Sequence, residues 1–170
     1  MTKTPRRQPA AISRKEASLR TVAIAALNGI ALIHLLEIPH KLEHAPYMAG
    51  LFAALILACA ALSALLTTAD ARSAPALWSA AGTLAAATMA GYAASRSIGL
   101  PGLADHVGDW ANPAGTASLA LELAVVGLAA HAARDALGAQ RPTPPPHQRR
   151  PPSRRAAARL HPRSPGESST

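Results

Sequence analysis

An apolar run from Pro113 to Arg134 limits the folds that are open to this chain. The run has about 20 apolar residues, which is enough for one helix to cross the hydrocarbon core of a bilayer. One acid, Glu122, lies near its middle. Because a carboxylate in hydrocarbon is costly, we expect Glu122 to face protein or water rather than lipid, and to mark a functional site.

Three further apolar runs precede this one, so the candidate spans are 20–38, 47–67, 74–95 and 113–133. The third is the weakest, because it consists largely of Ala, Gly, Ser and Thr. Small residues let helices approach closely. They recur here at a spacing of four: Gly82, Ala86, Ala90 and Ala94. The sequence therefore predicts an all-α fold, a four-helix transmembrane bundle with short loops, over residues 20–134.

The two ends of the chain differ in composition from its middle. Residues 1–19 are basic, and residues 135–170 are rich in proline and arginine, so we expect both ends to be disordered. A net charge of +8 would suggest nucleic acid in a soluble protein. Here the basic residues flank apolar segments and aromatic residues are few, so the expected partner is the lipid bilayer and not nucleic acid. The basic tails either contact anionic lipid or only fix the topology.

The distribution of positive charge predicts the orientation. Fifteen of the 17 lysines and arginines lie in the N-terminal segment, in the loop around Asp70, or from Arg134 onward. The other two, Lys41 and Arg96, belong to the two remaining connections. Since cytoplasmic segments carry the excess of positive charge, we expect both termini to be cytoplasmic in a multi-pass protein of the cell (inner) membrane.

A group of histidines and acids lies at the outer end of the first span. A continuous helix places five polar residues within an arc of about 120°: His34, Glu37, His40, Lys41 and His44. Pro39 tends to kink or end such a helix. Imidazole and carboxylate groups bind transition metals, so the predicted metal ligands are His34, Glu37, His40 and His44. The alternative is a solvated loop in which these side chains have no special role.

Glu122 has candidate partners on its own helix and on others. Ser118 lies one turn away and could donate a hydrogen bond to it. Arg96 is the obvious candidate cation, with His34 and Glu37 at the same end. In one interpretation the acid accepts a proton or binds a ligand. In the other, a polar network of Glu122, Arg96 and their neighbours only holds the helices together. The sequence leaves both open.

Several short motifs occur together between residues 21 and 134. They are His34-x-x-Glu37 at the end of the first span, the run S-R-S-I-G-L-P from Ser95 to Pro101, an acid-bearing loop, and Glu122 within the last span. In this the chain resembles small four-span integral membrane proteins of high-GC bacteria that have no assigned activity. The resemblance implies a four-helix membrane fold and assigns neither an activity nor a cofactor.

Enzymatic motifs are few. No P-loop, G-x-S-x-G elbow or H-E-x-x-H sequence is present. Residues His40 to His44 match the H-x-x-E-H pattern of inverted zincin proteases, but the large soluble domains of that family are absent. We therefore expect a membrane protein that binds a metal ion or a proton at its His/Glu cluster, or an accessory component without chemistry, rather than an enzyme.

Overall fold

The computed structural model describes residues 14–70 and 74–139. Over these residues the chain forms four long helices and no strand. The helices are α1 (Arg14–His44), α2 (Pro46–Thr68), α3 (Ala74–Ser97) and α4 (Pro113–Ala139), with one 3-10 turn at Ala104–His106. The all-α, four-helix prediction is confirmed. Of the two ends that the sequence predicts to be disordered, residues 14–19 and 135–139 are helical. Residues 1–13 and 140–170 lie outside the described residues, and so does that part of the prediction.

The surface of the bundle identifies a membrane protein. Three helices, α1, α2 and α4, are long and apolar enough to cross a membrane. Large apolar side chains point outward, including Leu36 and Leu57, which are 71% and 70% exposed. α3 has 24 residues and is not among these three, which agrees with its content of Ala, Gly, Ser and Thr. It is the fourth helix of the bundle.

Two helices extend beyond their predicted limits by six residues at one end or both. α1 continues through Pro39 to His44, so His40 lies in the same helix as His34. Proline removes one backbone N–H donor. Because α1 ends little more than one turn after Pro39, the missing hydrogen bond costs the helix little stability. α4 runs to Ala139, past the predicted start of the tail at residue 135, because the sequence there is rich in alanine and leucine, which favour helix.

The buried face of α3 differs from the predicted stripe of small residues. Gly82 does contact α4, because a Cβ added to it would lie 2.7 Å from that of Ala129. Ala86 and Ala90, however, are exposed. A spacing of four advances 400° around a helix and drifts by 40° at each step, so such a stripe leaves the interface. The buried face follows the helical period instead: Ala74, Trp78, Ala81 and Ala85.

Buried Arg20 joins α1 to the end of α2. Its Nη1 donates to the carbonyl oxygens of Ala69 at 2.7 Å and Leu66 at 3.3 Å. Its Nη2 forms an ion pair with Glu16 at 2.7 Å. The last carbonyls of a helix have no partner within the helix, so this guanidinium supplies the donors and a positive charge at the negative end of the α2 dipole.

The segment between α3 and α4, residues 98–112, covers the other end of the bundle, which we call the loop end. Gly99 and Gly102 both have φ of +75°, a conformation that side chains disfavour. At Gly102 an added Cβ would also lie 2.9 Å from the carbonyl oxygen of His44. Asn112 caps α4 by accepting a hydrogen bond from the backbone N–H of Gly115 at 3.0 Å.

Candidate functional site

A cavity of about 530 Å³ lies at the loop end, lined by all four helices and by the segment that covers them. Its volume falls within the roughly 300–1,000 Å³ that is usual for small-molecule sites. Much of its wall is apolar, with Phe52 and Leu55 from α2 and Leu84 from α3. Ionisable side chains interrupt this wall at several points, which is the arrangement that a binding site requires.

Five residues that the sequence singled out line this one cavity: His34, Glu37, Arg96, Ser118 and Glu122. They come from α1, α3 and α4, and the packing of the helices brings them to a common space. His40 and His44 are not among the lining residues. They are exposed on α1, where their rings lie 4.5 Å apart and His44 Nδ1 donates to the His40 carbonyl at 3.0 Å.

The predicted metal ligands therefore do not converge. Two of them face the cavity and two lie on the surface of the bundle. In the described part of the chain, no group of three or more His, Cys, Asp or Glu side chains is placed to hold a metal ion. Pro39 does not interrupt α1, so all four residues remain on one helix, where their spacing extends over almost three turns.

Glu122 is the most deeply buried ionisable group of the cavity, with 2% exposure. Ser118 Oγ donates to its Oε1 at 2.9 Å, as the one-turn spacing predicts. The ion pair with Arg96, which belongs to one of the two interpretations, does not form: among the described residues, no cationic side chain lies within ion-pair distance of Glu122. Glu122 thus has a single neutral hydrogen-bond donor in a low-dielectric setting.

His34 lines the cavity from α1 and is 8% exposed. Its Nδ1 lies 2.9 Å from the Ile30 carbonyl oxygen, so Nδ1 carries the hydrogen. In the neutral ring, Nε2 is then the acceptor. The ring packs edge-on against Phe52, with 4.6 Å between centroids. This orientation is fixed from two sides and leaves one basic nitrogen available at the cavity.

Lys41 and His106 form a part of the site that the sequence did not assign. Lys41 is 5% exposed, and its Nζ lies 3.0 Å from His106 Nε2. Because an ammonium group only donates, Nε2 accepts and Nδ1 carries the proton. Nδ1 lies 3.0 Å from Asp105 Oδ1, and this hydrogen bond holds the pKa of the Asp105 carboxyl below its usual value. Lys41 lies on the same helical arc as His34 and Glu37, and this position was the feature of the sequence that could have assigned it to the site.

Arg96 closes the cavity beside this chain of contacts. It is 6% exposed, and its guanidinium carbon lies 5.0 Å from the centre of the Tyr92 ring, within cation–π range. Nη1 donates to the His106 carbonyl oxygen at a long 3.4 Å. Its Nε is buried and has no hydrogen-bond partner. The Tyr92 hydroxyl in turn donates to the Trp110 carbonyl at 2.9 Å, which fixes the ring.

The loop end thus contains a cavity lined by one buried acid without an ion-pair partner among the described residues, one imidazole in a fixed orientation and two buried cations. Searches of protein-family models, of curated proteins and of solved structures found no match to this chain.

Proposed function

We propose that this membrane protein takes up a proton at Glu122, within the cavity that it shares with His34. One observation carries the proposal: Glu122 is 2% exposed, and Ser118 is its only hydrogen-bond partner in the described part of the chain. An ionised carboxylate without a cation is costly in a low dielectric. Such a group is occupied either by a proton or by a cation from the cavity.

The cavity supplies the route for the proton. His34 and Glu37 line it together with Glu122, so titratable groups stand on its α1 and α4 walls. Of the two species that the sequence predicts, a metal ion or a proton, the proton fits better. Metal binding needs several converging ligands, whereas a proton needs one basic atom that is reached through the cavity.

Infrared difference spectroscopy between low and high pH, on protein in lipid nanodiscs, tests this proposal. Wild type should show a carboxylic-acid carbonyl band that titrates and that Glu122→Gln removes. Ser118→Ala should keep the band and shift its frequency, because the carboxyl loses a hydrogen bond. Glu43→Gln, which replaces an exposed acid near the end of α1, is the matched control and should leave the band in place. A spectrum that Glu122→Gln does not change would refute proton uptake at this site.

The second candidate is an accessory or structural membrane component, and one observation favours it. The side chain of Lys41 and the side chain of Arg96 both bind His106, through its ring and its carbonyl respectively, so polar contacts tie the covering segment to α1 and α3. If this network only stabilises the bundle, the titrating band is absent. Replacing these residues then changes the stability of the fold and nothing else.

The orientation remains part of the proposal, supported by the bias of 15 in 17 basic residues. We expect Asp105→Cys to react with a membrane-impermeant maleimide on intact cells, and Pro145→Cys to react only after the membrane is opened. Both variants are made in a Cys59→Ala background, because Cys59 is the single cysteine. Labelling of position 105 from the cytoplasmic side alone would reverse the topology. Lipid contact by the basic tails stays a prediction, since most of those residues lie outside the described part.

A further inference from the structure

The two buried cations at the loop end of the cavity make no ion pair among the described residues. Arg96 and Lys41 are 6% and 5% exposed, and both line the cavity. In the described part of the chain the ion pairs are those of Arg20, His106 and His131 with acids, and neither cavity cation takes part in one. Buried charges are normally paired, because desolvation costs several kcal/mol per ion.

Their hydrogen-bonding capacity is also unused. A guanidinium has five N–H donors and an ammonium has three. Arg96 makes one long hydrogen bond to a neutral carbonyl and leaves Nε without a partner. Lys41 makes one, to the His106 ring. Two adjacent cations with spare donors are suited to an anion that carries at least two acceptor oxygens.

The apolar part of the cavity wall indicates what kind of group is attached to that anion. Beyond the two cations, the wall continues along α2 with Leu51, Phe52 and Leu55. A small inorganic anion would leave this apolar wall unused, whereas a chain of methylene groups would cover it.

We propose that the cavity binds an amphipathic anion, with its oxygen-bearing head group on Arg96 and Lys41 and its apolar part along the α2 wall. The head group is a carboxylate or a phosphate, and it comes either from a free single-chain amphiphile or from a bilayer lipid. Glu37, on the same wall as Lys41, competes with it by repelling its negative charge. This site is independent of proton uptake at Glu122.

The test uses full-length protein in phosphatidylcholine nanodiscs, in a Trp78→Phe background. Trp110 then reports on the site, because its ring packs against Tyr92 with 6.1 Å between centroids. Titration with decanoate should give a saturable change in fluorescence, and decanol, which lacks the charge, should not. Arg96→Gln should weaken decanoate binding about ten- to a hundredfold, and Glu37→Gln should tighten it.

Further arms separate the two sources of the head group and the two proposals. If decanoate gives a saturable response, the head group comes from a free amphiphile. The head group comes from a bilayer lipid if decanoate gives no response and if exchanging phosphatidylcholine for phosphatidylglycerol changes the fluorescence in a way that depends on Arg96. Glu122→Gln should keep the response, so loss of the titrating carboxyl leaves this proposal standing. Lys41→Met provides a second variant if Arg96→Gln does not fold. No saturable response to either anion, or an unchanged response in both variants, would overturn the proposal.

Discussion

Replacing Arg20 by methionine is expected to destabilise the folded protein by about 2–3 kcal/mol, whereas the same replacement of Arg96 should leave its stability unchanged or raise it. The two arginines are almost equally buried, at 5% and 6% exposure, and both lie in helices. They differ in their partners. Arg20 binds two carbonyls at the end of α2 and a carboxylate, so its loss leaves charged and polar groups without partners.

Arg96 has no carboxylate partner, and its one hydrogen bond is 3.4 Å long. Methionine at this position removes the desolvation penalty of a buried cation. It also removes that hydrogen bond and a cation–π contact worth about 1 kcal/mol. Thermal unfolding in detergent, followed by circular dichroism without added anion, measures both variants. Glu16→Gln is the control: its side chain is 41% exposed, so its change should stay below about 1 kcal/mol.

An equal loss of stability in the two methionine variants would contradict this prediction and would make Arg96 a structural residue. A ligand that binds only the folded state stabilises it. Decanoate should therefore raise the melting temperature of wild type and of Arg20→Met, and not that of Arg96→Met. A binding residue that lowers stability is a common compromise at functional sites.

The fold was predictable because membrane spans have a strong and simple signal, a helix-length run of apolar residues. α2 shows this most clearly, since Pro46–Thr68 contains no charged residue. The limits of the helices were harder to predict. Pro39 lies within α1, and the predicted break there reflects a preference of proline that the surrounding helix outweighs. The spacing of small residues in α3 predicted a packed helix but not its buried face, because that face depends on the rotation of the helix.

The site was predictable in part. An acid in a span identified Glu122, one helical turn identified Ser118, and the polar end of α1 identified His34 and Glu37. The failure of Arg96 to pair with Glu122 could not be seen from the sequence, since it depends on the positions of two helices relative to each other. The contact between Lys41 and His106 joins residues 65 positions apart, and no local pattern announces it.

Replacing Gly115 should give the second large effect, because α4 comes close to the Tyr92 ring at this residue. A Cβ added at this position would meet the ring of Tyr92. That ring cannot move freely, since its hydroxyl binds the Trp110 carbonyl and its face carries the Arg96 guanidinium. We expect Gly115→Val to destabilise the protein by about 1–3 kcal/mol through overpacking, and to abolish the response to decanoate by displacing Arg96.

Gly127→Val is the matched control on the same helix, because nothing lies within 4 Å of a Cβ added there. Both variants place the same β-branched residue in α4, Gly115→Val in its first turn and Gly127→Val in its interior, where the propensity term is larger. The difference between their unfolding free energies reports the contact with Tyr92 together with this propensity term. Equal stability and equal decanoate binding in the two variants would show that the bundle yields at Gly115. In that case the position of Arg96 would not depend on the close approach of α4 to Tyr92.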